Sequence, residues 1–548
     1  MKISIALLAL FSLVITNSSV LATKHFVMNG DDSGNYSLRN RIETANPGDT
    51  ICFAPGVDTV TLVSDQLLIH KSLYIKGNVD KTVVQRDPAY GTPEFRIFHF
   101  ANCGDVQLEN LIIANGQAPV RLGVFPQHGG GLCISDTSCN VKIKNCIISN
   151  NTSASGIVGM YIGNSPGGDG GGIYNNGFLT CDHCIFRYNE TGIGGYSMQI
   201  KDNQLEPSAT CINFCGGSGA GIANYYVATL LDCIIYSNQA GGGGQCWSGD
   251  GYGGDGGNGG GIFNSTNANI VLVNCIVCSN TSGQASAVYN MDTGSIDVGN
   301  PGSGGGIASP GNIEIKNSTI VNNHTPGFTY NYQGNSYTQR GKGGGIFTKR
   351  LYLHNSILSS NFDDDVQDDL FSYYPELCFI NYTLVGSFSW TNLAGIGNLV
   401  NANPSFIDSS DFHLAFNSPC INAGDPDTSG LPVYDLEGNI RVIENRVDMG
   451  AYEFQGYSPD GSASAPGNIF IFPNPFHDRF TIFIPENLRN TVTDAAVHTL
   501  SGQIVFETTF YSRNADQEME LPSSLPKGIY LLVIRNTKAC TIHKIIKL

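Results

Sequence analysis

One phrase recurs along this chain and constrains its fold more than any other feature. A glycine triplet or near-triplet followed by Leu or Ile stands at 129–132, 170–173, 219–222, 259–262, 304–307 and 343–346. Each copy closes on an apolar residue three places before an asparagine: Asn151, Asn189, Asn238, Asn280, Asn323 and Asn361 in turn. Five places before that asparagine lies Cys146, Cys184, Cys233 or Cys275, and then Ser318 and Ser356. Apolar runs this short and rich in Ile and Val read as strands. Their return every few tens of residues is the pattern of a solenoid. A small residue returning at one place suits a position buried between coils. An asparagine returning at a corner suits a ladder in which each side-chain amide bonds the next rung. The expected architecture is all-β, a right-handed parallel β-helix.

The Gly-Gly-Gly-Ile phrase with its Ile/Phe/Val-x-x-Asn box resembles the repeats of secreted bacterial β-helix proteins and polymorphic outer-membrane proteins, across residues 98–365. That resemblance implies a pectin lyase-like fold and says little about chemistry. Ahead of the repeats, Leu38, Ile42 and Ala45 share a helical face, with Ser37 as N-cap and Pro47 as a stop. This stretch resembles the Ser-Leu-Arg-x-x-Ile segment that opens exported β-helix proteins, and a helix there would cap the first coil.

The two ends speak of export. Residues 1–22 have the form of a signal peptide: Lys2, an apolar run from Ile5 to Ile15, and cleavage expected after Ala22. The run is too short to span a bilayer, and no later stretch is long and apolar enough to do so. The β-helix with its cap is expected over 23–402. Residues 403–454 resemble the closing segment of exported β-helix proteins that carry varied surface anchors. Their Asp425, Asp427, Asp435 and Asp448 read as turn residues capping the last coil, with calcium binding as the alternative. A flexible linker occupies 455–467. Short alternating strands over 468–548 suggest a small, Ig-like β-sandwich. There Pro473-Asn-Pro475, Leu500-Ser-Gly-Gln503, Lys527-Gly-Ile-Tyr-Leu531 and Lys544-Ile-Ile-Lys-Leu548 resemble the C-terminal sorting domain of type IX secretion substrates. The resemblance implies the type IX export and attachment machinery as a partner, and a protein on the outer membrane's extracellular face or released to the medium.

Net charge is −17, with only 14% of residues charged, so nothing here would displace counterions from phosphate and nucleic acid is not an expected partner. Cys181-x-x-Cys184 and Cys275-x-x-Cys278 invite a zinc reading. Residues three apart on a strand face opposite ways, which favours stacked core thiols instead. Cys211, Cys215 and Cys246 fall in loops and are the better disulfide candidates.

Long insertions leave the repeat at one place, between the closing asparagine and the next glycine triplet: 152–169, 190–218, 239–258, 281–303 and 324–342. Coils stack about 4.8 Å apart, so these loops must crowd on one side. They carry aromatic rings amid Gly, Asn and Ser, and Trp247, Tyr252, Tyr330, Tyr332 and Tyr337 are the candidate binding residues. Such rings suit sugar faces or a protein partner, so the expected function is non-catalytic adhesion to, or binding of, an extracellular glycan or a host or surface protein. The competing reading makes the aromatics miniature cores of their own loops. Polysaccharide lyase or glycoside hydrolase activity is the alternative function. It needs a base with charge neutralisation, or two facing carboxylates, and the repeat strands offer no aligned Asp or Glu set. No catalytic residue and no cofactor is assigned. His128 and the basic group Arg340, Lys342, Lys349 and Arg350 are the residues a lyase would use. The acidic run 363–369 reads as a solvated edge rather than a calcium site.

Overall fold

The computed structural model describes the chain except residues 1–21, 121–126, 158–165, 196–210, 213, 246–250, 290–294, 444, 456–469, 473–478, 485–488, 501, 513–515, 523, 538–539 and 548. The expected signal peptide therefore lies outside the described residues, apart from Ala22. From Lys24 onward the chain winds into a parallel β-helix built from three columns of strands. In the first column Leu132 lies beside Ile173, Ile173 beside Ile222, Ile222 beside Ile262, Ile262 beside Ile307 and Ile307 beside Ile346. The glycine phrases thus sit directly over one another. A second column, exemplified by Asn140–Lys144, Phe178–Asp182, Val227–Leu231 and Asn269–Val273, joins the first in an 18-stranded sheet. The third, with Ile147–Ser149, Ile185–Arg187, Ile234–Tyr236 and Ile276–Cys278, belongs to an 11-stranded sheet. Crossovers between parallel strands are right-handed for steric reasons, which sets the hand of the coil.

Corners are made by left-handed residues. Asn145 (φ 50°), His183 (φ 52°), Asp232 (φ 51°) and Asn274 (φ 54°) turn the chain from the second column to the third. Asn and Asp tolerate this region better than other side chains. The first glycine of the triplet is also left-handed, for example Gly170 at φ 66°. Alternate strand residues point inward to one continuous core, which includes Ile148, Phe186, Ile235, Val277 and Ile320.

The buried asparagines form the expected ladder. Asn151 Nδ2 donates to Asn189 Oδ1 at 3.0 Å, Asn189 to Asn238 at 2.9 Å, Asn238 to Asn280 at 2.9 Å, Asn280 to Asn323 at 3.0 Å and Asn323 to Asn361 at 2.9 Å. The last rung is a carboxylate, since Asn361 Nδ2 donates to Asp369 Oδ1 at 2.7 Å. Beside it runs the thiol column, with Cys146, Cys184, Cys233 and Cys275 fully buried. The thiols of Cys184 and Cys275 donate to the carbonyls two residues back, Asp182 and Val273.

One premise about the Cys-x-x-Cys pairs needs correction. Cys181 and Cys184 face the same core, because the left-handed turn at His183 lies between them and swings Cys184 back inward. Cys278 does face away from Cys275, into a separate cluster outside the sheet. Among the described residues a disulfide joins Cys103 to Cys139, which the loop cysteines had not suggested. Cys215 is an exposed free thiol, and the side chains of Cys211 and Cys246 lie outside the described residues.

At the N-terminal end the helix Leu38–Thr44 caps the first coil, with Ser37 Oγ accepting from the Asn40 amide at 3.2 Å and Leu38 and Ile42 buried. At the other end, the chain beyond residue 403 does more than close the last coil. It doubles back along the outer face of the 11-stranded sheet. Phe412 and Ala451 pack on Ile276, Cys278 and Val321, while Leu414, Cys420 and Met449 pack on Ile357 and Leu384. Buried Arg441 ties the segment down, donating to Gly450 O at 3.0 Å, Ala451 O at 2.9 Å and Asn274 Oδ1 at 2.7 Å. The tail is a separate antiparallel sandwich of three- and four-stranded sheets around Phe480, Ile482, Val497, Leu532 and Ile534.

Candidate functional site on the insertion flank

The insertions leave the coil at a single corner. Their roots are stacked, with Gln117, Thr152, Glu190, Gln239, Thr281 and His324 joined in sequence by parallel bridges. The returning limbs are stacked too, each residue before a glycine triplet accepting from the backbone of its successor. Asp169 N donates to His128 Nδ1 at 2.9 Å, Ser218 N to Asp169 Oδ1 at 2.7 Å, Asn258 N to Ser218 Oγ at 3.0 Å and Ser303 N to Asn258 Oδ1 at 2.8 Å.

Between root and tip the limbs are held by bare backbone. Outgoing and returning limbs alternate along one hydrogen-bonded chain: Gly217 N to Gly192 O at 2.8 Å, Gly241 N to Gly217 O at 3.2 Å, Gly257 N to Gly241 O at 2.8 Å, Gly283 N to Gly257 O at 2.7 Å and Gly302 N to Gly283 O at 2.8 Å. A Cβ on Gly217 would lie 1.9 Å from Gly168 O, and one on Gly257 1.8 Å from Gly217 O. Only glycine permits that approach. At this level the limbs are packed by backbone.

Further out, successive insertions keep to each other's sides. Cys211–Ile212 pairs with Gly251–Tyr252, which lies beside the hairpin of Ala287–Tyr289 and Ile296–Val298. That hairpin in turn neighbours Asn335–Arg340 of the next insertion. The last insertion is a regular hairpin, Gly327–Tyr332 against Asn335–Arg340, turned by left-handed Gln333 (φ 47°) and Gly334 (φ 83°). Its register places Tyr330 directly opposite Tyr337 and Tyr332 opposite Asn335, all on one face with Phe328. The other face is hydroxyl and amide: Thr329 and Thr338 Oγ1 lie 3.0 Å apart, and Ser336 Oγ donates to Asn331 Oδ1 at 2.6 Å. Every residue of Asn335–Arg340 is exposed. Three of the candidate residues, Tyr330, Tyr332 and Tyr337, are thus brought together. Tyr252 belongs to a neighbouring insertion and Trp247 lies outside the described residues.

The residues weighed for a lyase have other partners. His128 is stacked on Tyr174 with centroids 4.4 Å apart, and burial holds its imidazole below the usual pKa. Lys342 Nζ donates to Tyr373 Oη at 2.6 Å and sits 4.9 Å from the Phe371 ring centre, Lys349 lies over Tyr374, and Arg340 reaches Asp364 at 4.0 Å. Arg350 Nη1 lies 3.5 Å from Asn312 Oδ1. The acidic run is not a solvated edge throughout: Asp369 is fully buried as the last ladder rung, and Asp368 Oδ2 accepts from Gly343 N at 2.7 Å. Burial and the neighbouring Asp368 push the Asp363 carboxyl up to about 6.

In the segment beyond 403, Asp448 accepts from Asn422 N at 2.6 Å and Phe454 N at 2.7 Å, and Asp435 Oδ1 from Asn439 N at 2.8 Å. Asp425 pairs with His354 at 2.9 Å and Asp427 caps Ser429 N at 3.0 Å, while Asp435 and Asp448 lie with Glu453 around buried Arg441.

Sequence reasoning missed an aromatic row on the outer face of the first column. Tyr174 and Tyr225 have centroids 5.1 Å apart, Tyr225 and Phe263 5.9 Å, and Phe347 and Phe371 5.9 Å. The signal was available, because Tyr174, Phe263 and Phe347 each follow the Ile of a glycine phrase. The second column bears a groove of about 330 Å³ whose lining includes Glu314, Arg350, Tyr352 and Phe379.

Residues 470–548 match the family described as secretion system C-terminal sorting domain. The tail is a type IX sorting domain. It marks the protein for export, with attachment at the cell surface or release, and makes the type IX machinery a partner. Among the described residues no helix is long and apolar enough to cross a membrane. No curated protein matches the chain.

Proposed function

We propose that this exported β-helix protein is a surface-displayed binding protein whose insertion flank holds an extracellular glycan, with Tyr330, Tyr332 and Tyr337 as its stacking platform. The observation that carries the reading is the two-faced hairpin: rings on one side, hydroxyls and amides on the other, standing on a glycine-packed base. An aromatic face can lie against the apolar face of a sugar ring, and the amides of Asn335 and Gln339, on the same face as the rings, can pair with its hydroxyls. A base that cannot flex sideways keeps the ordering cost of binding low. Residues 23–402 form the displaying solenoid in this reading, and 403–454 its closing segment.

The test is a glycan array probed with the mature full-length chain, followed by Tyr330→Ala with Tyr337→Ala. Binding should weaken about tenfold or more, with the unfolding midpoint unchanged, since both rings sit on a projecting hairpin. Unchanged affinity would remove the hairpin from the site. Capture of a surface protein with no glycan bound would move the reading to protein adhesion.

A second reading, cleavage of an extracellular polysaccharide, is supported by the groove that places Glu314 and Arg350 beside Tyr352 and Phe379. New reducing ends or unsaturated products, abolished by Glu314→Gln, would establish it.

A further inference from the structure

We propose that Asp182, His183 and Asp232 form a binding site for a divalent first-row transition-metal ion, independent of the insertion flank. The site lies on the corner between the second and third columns. Successive rungs of that corner are Asn110, Asn145, His183, Asp232, Asn274, Asn317 and Asn355, all left-handed. Asparagine suits such a corner, and neighbouring rungs bond: Asn145 Nδ2 donates to Asn110 Oδ1 at 2.7 Å. Between Asn145 and Asn274 two consecutive rungs depart from asparagine and both carry metal-ligand side chains, whereas the later departure, left-handed Tyr382 (φ 48°) after Asn355, stands apart from them. Asp182, beside His183 on its own coil, adds a third. One ligand atom from each of the three lies within 4.8 Å of the others.

His183 Nδ1 lies 2.5 Å from Asp182 Oδ1 and 3.8 Å from Asp232 Oδ2. Zinc holds imidazole nitrogen and carboxylate oxygen at about 2.0–2.2 Å, which spaces neighbouring ligands roughly 3.3–3.6 Å apart. An ion would therefore draw Asp232 towards His183 by about 0.2–0.5 Å and ease Asp182 away from it by about 0.8–1.1 Å. Asp232 is already aimed. Its Oδ1 accepts from Asn274 Nδ2 at 2.9 Å, and Asn274 is buried and clamped between Tyr434 O at 2.9 Å and Arg441 Nη2 at 2.7 Å. A ligating carboxylate held by a fixed outer partner is the usual support of a metal site. Lys144 Nζ stands 3.4 Å from Asp182 Oδ2, but its side chain is 55% exposed, so it offsets little of the repulsion between the carboxylates. One imidazole with two carboxylates suits zinc, cobalt or manganese. Calcium, which takes oxygen alone, gains nothing from His183. The exposed side of the triad leaves room for water to complete the coordination.

The experiment is titration of the metal-stripped full-length chain with Co2+, followed by visible absorption and by the imidazole signals of His183, and with Zn2+ by calorimetry, using Ca2+ for contrast. His183→Asn and Asp232→Asn restore the residue found at the neighbouring rungs and should preserve the coil. The expected result is one ion per chain, bound at least tenfold more weakly in either variant, with Zn2+ raising the unfolding midpoint of the parent only. Asp182→Asn serves as a further variant if one of these fails to fold. Absence of Co2+ and Zn2+ binding at about 1 mM would overturn the site, because that concentration reveals even an affinity of about 4 kcal/mol. Binding that survives all the substitutions would place the ion elsewhere on the chain and overturn the site equally.

Discussion

The wall of the solenoid and the flank of insertions both stack one coil on the next, yet they do so with opposite chemistry. In the wall, strands lie in register, so every side chain meets its own counterpart one rung along. Identical residues then become an asset, and columns of Ile, Asn and Cys result. On the flank, outgoing and returning limbs alternate, so a Cβ meets a neighbouring carbonyl rather than another Cβ. Identity gives way to absence of side chain. Register, rather than burial, decides whether a stacked position wants a particular side chain or none.

The comparison is broken most severely by attacking the wall. Asn280 Oδ1 accepts from Asn238 N and Nδ2, while its own Nδ2 donates to Ile235 O, Cys278 O and Asn323 Oδ1. Asn280→Leu strands these groups in a dry interior, and each orphaned group costs about 1–3 kcal/mol. A loss of ~3–5 kcal/mol is expected, read from denaturant unfolding of the full chain. A loss below about 1 kcal/mol would mean that the ladder is incidental to stability.

The flank offers a sharper contrast within itself. Gly217→Ala drives a methyl to 1.9 Å from Gly168 O, whereas at Gly242 the nearest atom, Gln284 O, is 3.4 Å away. Gly217→Ala should destabilise by ~1–3 kcal/mol or open the insertions to protease while leaving the wall intact. Gly242→Ala should lie within about 0.5 kcal/mol of the parent. Equal effects at the two positions would show that the limbs are not packed through their backbones.

Much of the wall could be read before any coordinates, because a repeat announces its own register: Ile173 must lie beside Ile222 if both open the same phrase. Features that depend on one residue between repeats were harder to see. The facing of Cys181 and Cys184 turned on His183 being left-handed, and the burial of Asp369 on its succeeding Asn361 as a ladder rung. The doubling back of the chain after residue 403 leaves no periodic trace, because it packs through scattered contacts such as Phe412 on Val321. Of the candidate binding residues, Tyr330 and Tyr337 were chosen for their chemistry alone. Their alignment depends on a two-residue turn at Gln333-Gly334, which composition did not reveal. The corner triad was hidden because His183 and Asp232 are forty-nine residues apart, and only rungs aligned by backbone conformation bring them together.

The smallest expected effect concerns the thiol column, where the wall should tolerate exchange. Cys275 Sγ donates to Val273 O at 3.3 Å, and Ser318 Oγ, one rung along, donates to Lys316 O at 2.7 Å. The rung thus asks for a small donor to the carbonyl two residues back, and sulfur and oxygen both supply one. Cys275→Ser loses some apolar volume and gains a stronger donor, so the change should cost less than about 1.5 kcal/mol. Cys275→Val keeps the volume but removes the donor, and leaves Val273 O without this partner. If the valine variant proved the more stable of the two, the column would be apolar packing alone, and the serines at 318 and 356 would owe their places to something other than the hydrogen bond.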